Sequence, residues 1–410
     1  MKLPAQWSKV PLHQIANVQT GLSKSQNRTG PSVLRPYLRV ANVQDGYLDL
    51  AEIKEIEVPA AQVERFSLRN GDVLLTEGGD FDKLGRGSIW NGEVPGCVHQ
   101  NHVFAVRVIN SAVLLPEFLA CEIQSSRAKN YFLSCAKQTK NLASINSSQL
   151  KDLPVLVPPL TEQHAIVNAN TTWDAAIQKI EELIAAKELS SKALMQRAFG
   201  SNEHPRIKLS EFINRVTRKN IEGNDHPLTI SGAEGLVSQS HYFGKRIAAE
   251  NTEHYTLLKR GEFAYNKSYS AGYPLGAIKR LDAYDEGIVS TLYLCFGLDE
   301  GQAPLTDYFA YYCEAGGFNH QIYQVAQEGA RNHGLLNVTA DDFFSMKMPV
   351  PPPDVQEHIV RLLGEAMREL ALLREQMAAL RTQKRGLMQK LLTGQWRLPI
   401  ANETEVSANA

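Results

Sequence analysis

The feature that most constrains this chain is an internal repeat of long period. Pro158–Phe199 (PPLTEQHAIV…LMQRAF) aligns without a gap onto Pro351–Leu392 (PPPDVQEHIV…LMQKLL), at an offset of 193 residues. Eleven of these 42 positions are identical: Pro158, Pro159, Gln163, Ile166, Val167, Glu182, Ala185, Ala186, Leu194, Met195 and Gln196, each against the residue 193 later. Composition alone would give about two or three. The register continues upstream, pairing Leu142 with Leu335, Ile145 with Val338 and Val157 with Val350. Earlier segments match at drifting offsets: Val10-Pro11-Leu12 with Ile207-Lys208-Leu209, Gly71-Asp72-Val73 with Gly261-Glu262-Phe263, and Leu84-Gly85 with Leu275-Gly276. The 410 residues are thus one unit used twice, a variable body followed by a better-matched segment. A period this long means two domains, each with its own core, and not a solenoid.

The matched segments read as long helices. Thr161 and Asp354 follow proline runs and are N-cap candidates, with Glu357 at capping-box spacing from Asp354. From Thr161 to Phe199 and from Asp354 to Leu392 the only Gly or Pro residues are Gly364 and Gly386. Each carries two apolar stripes at heptad spacing. In the first they are Ile166, Trp173, Ile180, Lys187, Leu194 and Asn170, Ile177, Ile184, Ser191, Ala198. In the second they are Ile359, Ala366, Leu373, Leu380, Leu387 and Leu363, Leu370, Met377, Lys384, Leu391. Two stripes at 3.5-residue spacing make a coiled-coil seam, which predicts burial of Trp173 and Leu373. The equal lengths and shared register favour pairing with each other over two unrelated amphipathic helices. At ~1.5 Å per residue each rod would run about 58 Å.

The bodies read as mixed α/β, with strands expected at Asp72–Thr76, His102–Val108, Glu262–Tyr265 and Val289–Phe296. Asn146 and Thr339 hold equivalent places as caps of short helices. The expected organisation is a first body at 1–157, a spacer helix at 158–200, a second body at 201–350, a spacer helix at 351–394 and a tail at 395–410. Composition is that of an ordinary globular protein, 43% hydrophobic and 21% charged with a net charge of −1. No apolar run approaches the ~18–20 residues of a membrane span, and MKLPAQWSKV lacks the apolar core of a secretory leader. Cys97, Cys121, Cys135, Cys295 and Cys313 show no CxxC or metal spacing and read as free thiols of a reducing, cytoplasmic compartment.

Several chemistries lack their signatures. There is no GxxxxGK[ST], no dinucleotide-binding glycine fingerprint and no Asn-Pro-Pro-aromatic methyltransferase motif. Glu52-Ile53-Lys54 is an isolated tripeptide. His99 and His102 have no third ligand at metal spacing and read as polar strand or loop residues. No catalytic constellation and no metal site can be assigned. Two repeated bodies without one suggest recognition, not catalysis.

A PxPP-(T/D)xQ-IV helix ending in LMQ(R/K), used twice around variable bodies, resembles the specificity subunits of type I restriction-modification systems. PPLTEQHAIV, LMQKLLTGQWRL and Gly71–Trp90 (GDVLLTEGGDFDKLGRGSIW) carry the resemblance, which covers about residues 5–399. The second repeat departs slightly, with PPPDVQEHIV in place of the commoner P-x-x-EQ-x-I. The resemblance implies an α+β fold of two target-recognition domains and two helices pairing as an antiparallel coiled coil, pseudo-two-fold within one chain. It implies that each body reads one half of a bipartite double-stranded DNA target. It also implies that the helices dock two methyltransferase subunits and, through them, restriction subunits. No cofactor is expected on this chain; S-adenosylmethionine, ATP and Mg belong to the partners. A coiled-coil scaffold with two protein-binding heads and no role on DNA is the alternative.

Residues 1–159 carry 17 basic and 14 acidic side chains and residues 205–353 carry 14 and 17, so neither body is a strong polyanion binder. Contacts with DNA must come from local groups that reach phosphates and base edges. Candidates in the first body are Lys24 and Arg28, Lys83 and Arg86, and Lys137, Lys140 and Asn141. In the second they are Arg215, Arg218 and Lys219, Lys245 and Arg246, Asn266 and Lys267, and Arg331, Asn332 and His333. Lys83–Arg86 lies in a Gly-rich loop where backbone can approach phosphate. Lys140-Asn141 and Arg331-Asn332 occupy loosely similar places before the capped short helices.

Overall fold

The computed structural model describes residues 3–23, 30–79, 81, 84–138, 143–200, 204–232, 234–269, 272–299, 303–326 and 336–399. Its contacts divide the chain into two units, Met1–Glu181 with Gln376–Ala410, and Glu182–Glu375. Each long helix is therefore shared: the first starts in one unit and ends in the other, and the second does the reverse.

The same four-stranded antiparallel sheet forms in both units. In the first the strand order is Ala16–Thr20, Val103–Val108, Asp72–Thr76, Gly87–Trp90; in the second it is Ile213–Arg215, Leu294–Leu298, Phe263–Asn266, Ala277–Arg280. The central registers coincide, with Val73 opposite Val106 and Phe263 opposite Phe296, each pair 190 residues from its twin. A two-stranded ribbon ties the start of each body to its exit, pairing Ser8–Pro11 with Pro154–Val157 and Arg206–Lys208 with Lys347–Pro349. The predicted strand Val289–Phe296 is instead two strands broken by a turn, in which Tyr293 N–H donates to Ser290 C=O. The first body has the same turn, Val103 N–H to Gln100 C=O. Asn146 and Thr339 cap the short helices Ser147–Lys151 and Ala340–Ser345 through capping boxes. Ile145 and Val338 beside them are buried.

Large side chains from the sheets and helices form the cores. Leu12, Phe104, Phe118, Phe132, Leu150 and Val155 pack with Ile166, Leu391 and Leu392 from the long helices in the first unit. Phe263, Phe296, Phe309, Phe318 and Phe343 fill the second, with Phe199, Ile359 and Val360 packed against them. Burying one such side chain stabilises by about 1.5–3 kcal/mol. Gly85 and Gly276 show why the Leu-Gly pair recurs. Both have positive φ, +64° and +79°, and an added Cβ would lie 2.4 Å from the Phe132 ring in one and 2.3 Å from Asn266 O in the other. Only glycine fits such places.

The long helices run Leu160–Phe199 and Pro353–Leu392. Thr161 and Asp354 are not their N-caps. The Pro159 and Pro352 carbonyls already accept the first helical N–H bonds, so each cap falls two residues earlier than predicted. Gln163 and Gln356, identical in the repeat, donate their amides to Pro158 O at 2.9 Å and Pro351 O at 2.8 Å and fix the exit from the ribbon. In the first unit Asp174 meets Lys384 and Glu181 meets Arg381, so partner numbers fall on one helix as they rise on the other and the helices pair antiparallel. In the second unit Glu188 meets Arg374 and Lys187 meets Glu369. None of the predicted stripe positions is exposed. Trp173 and Leu373 are half-buried; full burial falls on Ile166, Ile177, Ile184, Ser191, Leu363, Leu370 and Leu391. Of the other seam residues, Ile180, Leu194, Ile359, Ala366, Leu380 and Leu387 are half-buried.

Candidate nucleic-acid interface

In the first body one small sheet holds Lys137 and the two residues, Gly78–Gly79, that precede the Lys83–Arg86 stretch. Thr76 and Val103 form the last rung between their strands. One residue beyond, Glu77 N–H donates to His102 C=O at 3.0 Å, and Ile145 N–H donates to Glu77 C=O at 2.9 Å. Gly78–Gly79 then pairs with Ala143–Ser144, which pairs with Lys137–Gln138. The loop carrying Lys83 and Arg86 and the segment carrying Lys137, Lys140 and Asn141 therefore leave the same three-stranded sheet. Gly78 permits the approach, since a Cβ there would lie 2.9 Å from Ala143 O. Lys137 is exposed. Arg86 is half-buried and donates to Gln44 Oε1 at 3.0 Å. Lys24, Arg28, Lys83, Lys140 and Asn141 lie outside the described residues.

The second body repeats this junction. Asn266 ends its strand. Lys267, the next residue, accepts from Leu336 N–H at 3.0 Å and donates Nζ to Val338 O at 3.2 Å. This places Asn266-Lys267 beside the stretch that follows Arg331 and Asn332, which with His333 lie outside the described residues. Asn266 accepts from Ser268 N–H through Oδ1.

The remaining candidates are not brought to that junction by any described contact. Arg218 holds Glu262 by two hydrogen bonds, 3.1 and 3.0 Å, and also donates to Leu257 O; its bond to Glu262 raises the guanidinium above its ordinary value. Lys219 donates to His254 O at 3.0 Å, and Arg246 pairs with Asp225. Arg215 and Lys245 are exposed.

Sequence reasoning passed over the acid that Arg218 serves. Asp72 and Glu262 match in the repeat, and each accepts the backbone N–H three residues before it, Arg69 N–H at 2.8 Å and Lys259 N–H at 2.7 Å. Asp72 is gripped by Arg107. The matched Gly-(Asp/Glu) pairs were the available signal. Sequence gave no sign of the exposed cluster at the junction, where His102 Nδ1 bonds Glu77 Oε2 at 2.5 Å and Asn101 Nδ2 lies 3.4 Å from His102 Nε2.

His99, by contrast, is fully buried, and burial pushes its imidazole down to about 4. The five cysteines are unpaired. Burial pushes the Cys97, Cys121 and Cys295 thiols up to about 12, so none of those three is a thiolate at neutral pH. Among the described residues no group of three or more His, Cys, Asp or Glu could hold a metal ion, and no helix is long and apolar enough to cross a membrane.

Residues 4–187 match the type I restriction modification DNA specificity domain. The protein assigned as the type I restriction enzyme MjaX specificity subunit of Methanocaldococcus jannaschii is 23% identical over 97% of this chain and 95% of its own length. The type I restriction enzyme EcoKI specificity subunit of Escherichia coli K12 is 28% identical over 43% of this chain and 36% of its own. Among solved structures, a chain from a study of assembly and conformational transition in the type I restriction-modification system is similar over 97% of this chain and all of its own. Its TM-score is 0.59 at 18% identity. The type I restriction-modification S subunit of M. genitalium covers 95% of this chain and 98% of its own, with a TM-score of 0.50 at 14% identity. The duplicated body and paired helices thus have their counterparts, and the chain is similar over nearly its whole length to type I restriction-modification specificity subunits, with the DNA specificity domain matched at residues 4–187.

Proposed function

We propose that this chain is the non-catalytic DNA-reading subunit of a type I restriction-modification complex, with each body reading one half of a bipartite target. The observation that carries this reading is the duplicated junction. Both bodies bring the loop after the central strand beside the segment preceding the capped short helix, on sheets of identical order. Two like frames with unlike loops suit two unlike half-sites, as a two-fold dimer suits a palindrome. Neither body carries a large positive excess, so affinity for DNA depends on the assembled complex as well as on local lysines and arginines.

In this reading the outward faces of the long helices and their proline-flanked starts dock two methyltransferase subunits, through which restriction subunits join. S-adenosylmethionine, ATP and Mg act on those partners, and the complex works in the cytoplasm. The test is reconstitution with the modification subunits on a DNA library of randomised half-sites and spacings. The complex should methylate a bipartite sequence and the isolated chain none. Methyl transfer by the chain alone, or methylation indifferent to sequence, would overturn the reading.

A further inference from the structure

We infer that Glu77 and His102, with Asn101 beside them, form a base-reading element of the first body, rather than a surface ion pair. The inference rests on the DNA-reading function proposed above and names residues for it that lie outside the basic stretches.

The place comes first. Glu77 is the residue after the strand Asp72–Thr76, and His102 is the one before Val103–Val108. They sit one rung beyond the Thr76–Val103 pair, where Glu77 also receives the Ile145 N–H. The cluster thus stands at the root of both loops that carry candidate phosphate contacts, where a base edge would arrive once those loops hold the backbone.

The chemistry fits a base edge. A carboxylate only accepts, so Glu77 Oε2 takes the Nδ1 proton of His102 and fixes the ring. The Nε2 edge then stands next to the Asn101 amide, which offers a donor and an acceptor. His102 keeps 55% of its side chain exposed, so the ring is held without being covered. Held polar atoms of both kinds are what discriminates base pairs in the major groove.

The twin body supplies the comparison. Strand register and the shared turn make Lys267 the counterpart of Glu77 and Leu292 the counterpart of His102, each 190 residues later. The strand order and the turn are kept, but an acid becomes a base and an imidazole becomes an aliphatic side chain that is 57% exposed. A pair serving only the fold would have little reason to change while the strand order and the turn stay. Bodies that read different half-sites need different groups at that point.

The experiment uses the chain reconstituted with its modification subunits, methylating a library of duplexes randomised in both half-sites. His102→Ala should relax the preference at one base-pair position of a single half-site by about tenfold or more. The other half-site, the salt dependence and the melting temperature should stay unchanged. Glu77→Gln should relax the same position less. Glu77→Lys combined with His102→Leu should install a new preference there. An unchanged profile in both single variants, or a uniform fall at every position, would overturn the element while leaving the DNA-reading function standing. A wild-type complex without sequence preference would overturn both.

Discussion

Arg107 holds the fully buried carboxylate of Asp72 through two hydrogen bonds of 2.7 Å. The second body solves the same problem differently. Position 297, the counterpart of Arg107, is a glycine whose added Cβ would lie 3.6 Å from Glu262 Cγ. Arg218 supplies the guanidinium from a different part of the chain. An acid that accepts a backbone N–H beside the central strand is common to both bodies; the segment that neutralises it is not.

The two ion pairs should differ in worth. Arg107→Ala leaves Asp72 buried without its cation and should cost about 3–5 kcal/mol. Arg218→Ala uncovers a carboxylate that is already 17% exposed, so solvent takes up part of the loss and the cost should be smaller. Urea midpoints of the two variants decide it. Equal losses would show that burial of the acid does not set the energetics.

The helix seam gives a second ordering. Ile184 keeps 8% of its surface, whereas Leu373 is half-buried. Ile184→Asp should therefore cost several kcal/mol as an unpaired buried charge, and Leu373→Asp distinctly less, because its carboxylate can reach water. Thermal melts of both variants test this. A larger loss at Leu373 would mean that the seam runs along the other stripe.

Much of the frame was legible because repeats and heptads are periodic signals: equal offsets exposed the two bodies, and 3.5-residue spacing found stripes that are nowhere exposed. Helix starts were misjudged because a proline carbonyl, which no side-chain rule tracks, accepts the first bonds. Val289–Phe296 read as one strand because both halves of a turn flanked by apolar residues keep β composition. The junction was harder to see. Gly78–Gly79 meets Ala143–Ser144 through backbone hydrogen bonds, which leave little trace in residue type. A basic residue also looks alike in sequence whether or not it is committed to an acid, as Arg218 is to Glu262.

Acid should loosen the first body through His99. Its imidazole titrates at about 4 when folded against 6.5 when free, because burial disfavours the cation. Between those values the unfolded chain binds a proton that the folded chain does not, so stability is complete above 6.5 and is lost as pH falls toward 4. At pH 4.5 the loss from this one group should be about 2–3 kcal/mol, at 1.36 kcal/mol per pH unit. Comparing the pH dependence of urea midpoints for wild type and His99→Asn isolates it from carboxylates. Parallel curves would show that His99 does not carry the acid sensitivity.

Lys137 and Arg215 distinguish backbone holding from sequence reading. Both are exposed basic residues, Lys137 in the three-stranded junction of the first body and Arg215 at the end of an edge strand of the second. A lysine on phosphate releases condensed counterions, so its loss weakens binding alike for every sequence and lowers the slope of log K against log salt by about 0.9. With the assembled complex, Lys137→Ala should therefore lower affinity for target and random duplex by the same factor and flatten the salt dependence by roughly one unit. Arg215→Ala, away from the junction, should leave both quantities close to wild type. Titrations at four salt concentrations on both duplexes are sufficient. A loss confined to the target duplex would make Lys137 a base contact, and an Arg215 variant with the larger salt effect would move the interface from the junction to the edge strand.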